Sequence, residues 1–273
     1  MALNREDYAE PACPFETDQW KSEPQVRTIP VSRVIEKLDE FYGRSDYSGA
    51  VRLVDYWLAE AEAGKDLRGQ FALRNELMGI YRKTGKKDEA IENAELALQL
   101  VKDMEAEGSV SEGTALVNAA TVYKAFGMPE KSAELFVRAK SIYESSLPPA
   151  DPRLGGLYNN MGLTLVDLGE YKMAREFYEK ALYTMRQTQG TQAEQAVTYL
   201  NIADLLAAEK GMEEAENEIS SCCRAAIALL DSRSIKRDGN YAFFCEKCAP
   251  VLDYYGFFAA AEELFDRALN WGK

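Results

Sequence analysis

The chain has 273 residues, 47% of them hydrophobic and 28% charged, with 32 basic against 45 acidic side chains and a formal charge of −13. That excess of acid, unbroken by any block of five basic residues, repels phosphate backbones and argues against nucleic acid as a direct partner. Histidine is absent, which removes the commonest general base and the commonest metal ligand.

The opening residues, Met-Ala-Leu-Asn-Arg-Glu-Asp-Tyr, have no apolar stretch of the kind a secretory signal needs. No run approaches the roughly 18 apolar residues of a membrane span. Five cysteines, an odd number, suit reduced thiols, and the expectation is a cytoplasmic protein without membrane partners. Residues 1–31 are set apart by Pro11, Pro14, Pro24 and Pro30, four of the nine prolines. Tyr8, Phe15, Trp20 and Val26 give this segment apolar anchors. It reads either as a loose tail or as an extended strip docked on the rest of the chain.

From residue 32 to 273 the chain repeats itself. Ala50, Ala90, Ser132, Ala174, Ala215 and Ala261 recur at gaps of 40, 42, 42, 41 and 46 residues. A small residue at a fixed period marks one helical hairpin copied six times. The hairpins fall at about 32–65, 66–107, 111–147, 151–188, 193–232 and 239–271. Five residues before the small column stand Ser45, Gly85, Gly127, Gly169, Lys210 (beside Gly211) and Gly256, where glycine turns one helix into the next. Four after it come Val54, Ala94, Phe136, Tyr178, Ile219 and Phe265; seven after it, Trp57, Ala97, Ala139, Ala181, Cys222 and Ala268. Those steps share one helix face, the seam where a neighbouring helix packs closest.

The first helix of each hairpin from the second onward has its own apolar stripe: Leu77 and Tyr81, Ala119 and Tyr123, Met161 and Leu165, Ile202 and Leu206, Cys248 and Leu252. Between hairpins the sequence breaks at residues 107–113, 147–152, 189–192 and 234–240. Leu-Pro-Pro-Ala-Asp-Pro predicts a stop, an N-cap at Asp151 and Pro152 at the first helical position. Pro250 interrupts the first helix of the last hairpin and predicts a kink there.

Two helices per unit, three columns of small residues, a tyrosine or leucine column and a glycine turn resemble tetratricopeptide repeats. The period near 42 and the phrases Leu-Tyr-Asn-Asn-Met-Gly-Leu-Thr-Leu (157–165) and Gly-Glu-Tyr-Lys-Met-Ala-Arg-Glu-Phe-Tyr-Glu-Lys-Ala-Leu (169–182) are similar to the kinesin-light-chain type. The resemblance covers residues 32 to 271 and is strongest in the third and fourth units. It implies an all-α fold, a right-handed superhelical solenoid of about six hairpins, with a concave groove lined by the first helices. Its function would be that of a non-catalytic scaffold for a protein or an extended peptide segment, with no cofactor.

The groove is then written by positions between the apolar columns. Asn118, Asn160 and Asn201 stand two residues before a small residue of the first helix. In related repeats asparagine there holds the backbone of an extended peptide, and a carboxamide offers the donors and acceptor for it. The second and last hairpins break the pattern, with Glu76 and Glu246. Asn159, Arg82, Lys124, Thr121 and Asp204 complete the candidate peptide site, Arg82 and Lys124 as receivers of an acidic side chain or carboxylate. The full lysine–asparagine carboxylate clamp of chaperone-binding relatives does not occur as a pattern. The same asparagines equally suit a bridge from one hairpin to the next.

The remaining constellations have plain readings. Cys245 and Cys248 have the spacing of half a zinc site, but the chain offers no second pair at a suitable spacing; in packing columns, cysteine serves as a small hydrophobe. No metal site is expected. Glu213-Glu214 and Glu262-Glu263 stand where acids complement a helix dipole, and no nucleophile–base set announces an enzyme. Phe243, Phe244, Tyr254, Tyr255, Phe257, Phe258, Phe265 and Trp271 crowd the last hairpin, which predicts an exposed apolar face and a homodimer through it. Two other functions stay open. One is a stand-alone peptide-sensing regulator related to pheromone receptors; the other is a structural oligomerisation module.

Overall fold

The computed structural model describes residues 26–270, and among them the secondary structure consists of twelve α-helices. They pair into six hairpins. The first joins α1 (Val31–Gly43) to α2 (Tyr47–Ala63), the second α3 (Leu67–Lys83) to α4 (Lys87–Asp103), and the third α5 (Val110–Ala125) to α6 (Pro129–Ser146). The fourth joins α7 (Pro152–Asp167) to α8 (Tyr171–Arg186), the fifth α9 (Gln192–Lys210) to α10 (Glu216–Leu230), and the sixth α11 (Gly239–Tyr254) to α12 (Phe258–Asn270).

Local chemistry sets where the helices start and stop. Asp46, Asp66, Asp151 and Asp238 cap α2, α3, α7 and α11, each carboxylate accepting from a first-turn N–H. Pro152 follows its cap at the first position, where a missing N–H costs nothing. Helix α5 opens with a capping box: Ser109 Oγ accepts from the Glu112 N–H at 3.3 Å, and the Glu112 carboxylate reaches back to the N–H of Gly108. The hairpin turns at Gly85, Gly127, Gly169 and Gly256 have φ of +72°, +74°, +75° and +82°, and Ser45 takes the same region at 54°. In the fifth hairpin α9 continues through Lys210, so Gly211 is the turn residue rather than its neighbour.

The small column lies at the seam. Ala50, Ala90, Ala174 and Ala215 are fully buried, and so is Ser132, whose hydroxyl lies 3.3 Å from that of Thr164 in the next hairpin. That bond lets a serine replace alanine without an orphaned polar group. Large rings press where glycine leaves room: a Cβ on Gly162 would stand 2.5 Å from Cε1 of Tyr178. Phe136 is fully buried, which stabilises the array by about 1.5–3 kcal/mol. The kink expected at Pro250 does not break α11, which runs on past it to Tyr254 with the proline ring facing outward.

Stacking is between neighbours. Each second helix packs on the first helix of the next hairpin from α2 to α9, and successive first helices touch one another from α1 to α11. First helices therefore gather on the inner side of the curve. Residues 26–30 lie on the α2–α3 joint: the Arg27 N–H donates to the Gly64 carbonyl at 2.9 Å and the Ile29 N–H to Asp66 at 2.9 Å. The anchors Tyr8, Phe15 and Trp20, the prolines at 11, 14 and 24, Cys13 and Trp271 lie outside the described residues.

Candidate functional site

The inner side of the first helices carries a ladder of side-chain bonds. Asn118 on α5 donates through Nδ2 to Oδ1 of Asn75 on α3 at 2.8 Å. Asn201 on α9 repeats this to Oδ1 of Asn159 on α7, also at 2.8 Å. The bridging alternative thus has a concrete form, with asparagines linking hairpins through each other's side chains. Asn75 and Asn159 occupy one column, fifteen residues before Ala90 and Ala174; Asn118 and Asn201 occupy the next, fourteen before Ser132 and Ala215. Asn160 belongs to the second column, but the residue it would reach is Val117, which offers no acceptor. It is half-buried, and its side-chain amide has no hydrogen-bond partner among the described residues. Each bridging donor uses one N–H, which leaves a second N–H and the carbonyl oxygen for another molecule.

Carboxylates on the same side are engaged. Tyr42 donates to Glu76 at 3.1 Å, Lys124 pairs with Asp167 at 3.1 Å, and Tyr255 donates to Asp204 at 2.7 Å. Burial pushes the Glu76 and Asp204 carboxyls above the usual carboxylate range, against the pull of those hydroxyls. Thr121 turns its hydroxyl back to the Asn118 carbonyl at 2.7 Å and is spent locally.

The cations stand differently. Arg82 is solvent-accessible, yet the surrounding walls desolvate it enough to pull its pKa below the ordinary value. Lys247 on α11 is lowered in the same way, by burial first and then by the charges of Arg82 and Lys124. Neither Arg82 nor Lys247 has a hydrogen-bond or ion-pair partner among the described residues. The superhelix curls so far that the sixth hairpin meets the second: the Lys83 ammonium lies 5.0 Å from the Tyr47 ring centroid and 5.6 Å from that of Phe243.

Lys247 corrects the sequence reading. Counting fourteen back from Ala261 gives Lys247, not Glu246, as the counterpart of Asn118. The signal was present in the register, one residue beyond Glu246. Lys83 and Asn75 were also missed; Asn75 had a periodic signal in Asn159, whereas Lys83 acquires its place only through the curl. Cys245 and Cys248 are both buried in the core of the last two hairpins, and burial pushes the Cys248 thiol up to about 12. They act there as protonated packing residues. Away from the groove, a cleft of about 670 Å³ opens beside Tyr158, Lys180 and Tyr183, with Tyr158 Oη donating to Glu144 at 2.9 Å.

Residues 154–227, from α7 into α10, match the model of the tetratricopeptide repeat family. A Podosopora anserina chain described as a putative kinesin light chain with nearly identical TPR-like repeats shares 16% identity at a TM-score of 0.50. That alignment covers 72% of this chain and 92% of the other. A point variant of the same Podosopora anserina protein superposes with a TM-score of 0.51 at 16% identity, covering 72% and 91%. BtubC (BKLC) from P. vanneervenii gives 0.49 at 18% identity, over 89% and 91% of the two chains. No curated protein matches. Among the described residues no helix is long and apolar enough to cross a membrane. Folds of this kind serve generally as protein–protein interaction scaffolds and are generally non-catalytic. Twelve helices in six stacked hairpins among the described residues give this chain a helical-repeat superhelix of the TPR-like fold, and its fourth and fifth hairpins match the tetratricopeptide repeat family in sequence as well.

Proposed function

We propose that the chain is a cytoplasmic, non-catalytic scaffold that holds an extended peptide or protein segment along the inner side of its first helices. The observation carrying this reading is the line of carboxamides at Asn118, Asn160 and Asn201, each with hydrogen-bonding capacity left over. Such a line suits a peptide backbone, and Arg82 and Lys124 beside it suit an acidic side chain. Thr121 and Asp204 would shape the walls.

Fluorescence anisotropy against a library of labelled fifteen-residue peptides tests this. Binding by the wild type, weakened in an Asn118/Asn160/Asn201→Ala variant that keeps its helical circular dichroism, supports the groove. Equal binding by both forms, or none by the wild type, rejects it. A peptide-sensing regulator would use the same groove, with a short free peptide as its ligand.

A second reading rests on α12. Phe258, Phe265 and Leu269, spaced seven and four residues apart, are 66%, 41% and 74% exposed. A stripe of that size suits self-association through the last hairpin.

A further inference from the structure

Second helices part where first helices meet. Helices α6 and α8 are not among the pairs that pack extensively, and the cleft of about 670 Å³ opens between them, over the start of α7. Its volume falls in the range of about 300–1,000 Å³ usual for ligand sites. Leu147 in the joint after α6, Leu154 and Tyr158 on α7 and Tyr183 on α8 give it an apolar lining. Tyr158 is held in place by its bond to Glu144 and by Phe177, whose ring centroid lies 6.1 Å away. Tyr183 leaves 69% of its surface to solvent, which an apolar occupant would cover.

The rim is acidic. Lys140 pairs with Glu144 at 2.9 Å, but Glu176 and Glu179, one turn apart on α8, have no hydrogen-bond or ion-pair partner among the described residues. The cation of the lining, Lys180, lies 5.3 Å from the Phe177 ring centroid. Two unpaired carboxylates thus stand against one lysine, in a chain of formal charge −13. The neighbouring joints carry cations instead: Lys102 and Arg186 stand twelve residues after the small column, where this joint has Glu144. Arg186 donates to Tyr199 at 2.6 Å, the counterpart of the bond that Glu144 accepts from Tyr158.

We propose that this cleft is a binding site in its own right, taking a basic segment of a partner protein. One aromatic or leucine side chain of that segment seats over Leu154 and Tyr158, and the lysines or arginines flanking it reach Glu176 and Glu179. The anchor contributes burial of apolar surface. The flanking cations select the sign of the partner, since an acidic segment would meet the same carboxylates as like charges. The cleft shares no residue with the asparagine line, so the two sites do not compete for one surface.

Titration calorimetry on the full chain tests this with three end-capped peptides: Lys-Trp-Lys-Lys, its acidic counterpart Glu-Trp-Glu-Glu, and Lys-Ser-Lys-Lys, which lacks the anchor. The expected result is binding of the first alone, weakened by added sodium chloride. Glu176→Gln/Glu179→Gln should weaken it about fivefold, as the loss of two exposed ion pairs allows. Glu176→Lys/Glu179→Lys should turn the preference to the acidic peptide. Tyr183→Ser, at an exposed position, should weaken the first peptide without changing the helical circular dichroism. No binding of the first peptide, equal binding of the acidic or the anchorless one, or a full response in Glu176→Lys/Glu179→Lys overturns the site. The Asn118/Asn160/Asn201→Ala variant should keep the full response, so this proposal and the groove reading fail separately; a response lost there would put the peptide in the groove and overturn the cleft.

Discussion

Asn201 donates to Asn159 across the α7–α9 contact at 2.8 Å, and the acceptor is only 8% exposed. The bond is therefore both a strut of the array and part of its candidate binding surface.

Cutting that strut has a measurable cost. Asn201→Ala should destabilise the fold by about 1–3 kcal/mol, because it leaves the buried Asn159 carbonyl without its partner. Asn201→Ala/Asn159→Ala should cost less than the sum of the single changes. Urea denaturation of the four forms gives the coupling energy, and strict additivity would show that the bond is not formed in solution.

Packing at the seam leaves little tolerance. Gly162→Ala would place a methyl 2.5 Å from Tyr178, and Ala174→Leu would enlarge a fully buried position. Each should cost about 1–3 kcal/mol. Tyr178→Leu made together with Gly162→Ala should recover part of the first loss. Melting temperatures decide, and a Gly162→Ala variant as stable as the wild type would contradict the close approach.

Asp204 gives a pH signature. Burial raises its carboxyl in the folded chain above the ordinary value of 3.8, with Tyr255 opposing. A group raised on folding stabilises most while protonated, and that contribution disappears as pH rises through its folded value. The wild type should thus lose stability relative to Asp204→Asn as pH rises from below the ordinary carboxylate value to neutrality. Thermal melts at the two ends of that interval measure it; a constant difference would mean that Asp204 titrates as an exposed carboxylate.

Self-association follows from α12. Sedimentation of the wild type at high micromolar concentration should show dimer, and Phe258→Ser/Leu269→Ser should shift it to monomer without changing the helical signal. A monomeric wild type would remove this reading.

Periodicity carried most of what the sequence could say. The seam alanines, the turn glycines and the Asp151–Pro152 helix start are local, with causes lying within a few residues, so they could be placed without coordinates. The partners of Asn118 and Asn201 were harder. Which column each amide meets depends on the stagger between successive hairpins, and a two-column pattern in Asn75 and Asn159 only hinted at it. Lys247 stands at the same fourteen-residue step before Ala261 as Asn201 before Ala215, so its place was legible in the register. The meeting of Lys83 with Phe243 had no sequence signal at all, since it results from small rotations summed over four hairpins.

That meeting joins positions 83 and 243, whereas the helix pairs that pack extensively among the described residues all lie within one hairpin or between neighbouring hairpins. Its folding consequence differs from that of a contact between neighbouring hairpins. Hairpins can form locally and in any order, but this contact exists only when every hairpin between the two is in place. It cannot form before those hairpins and is lost when any of them frays. A fluorophore pair reading this distance would report the integrity of the intervening array in one signal.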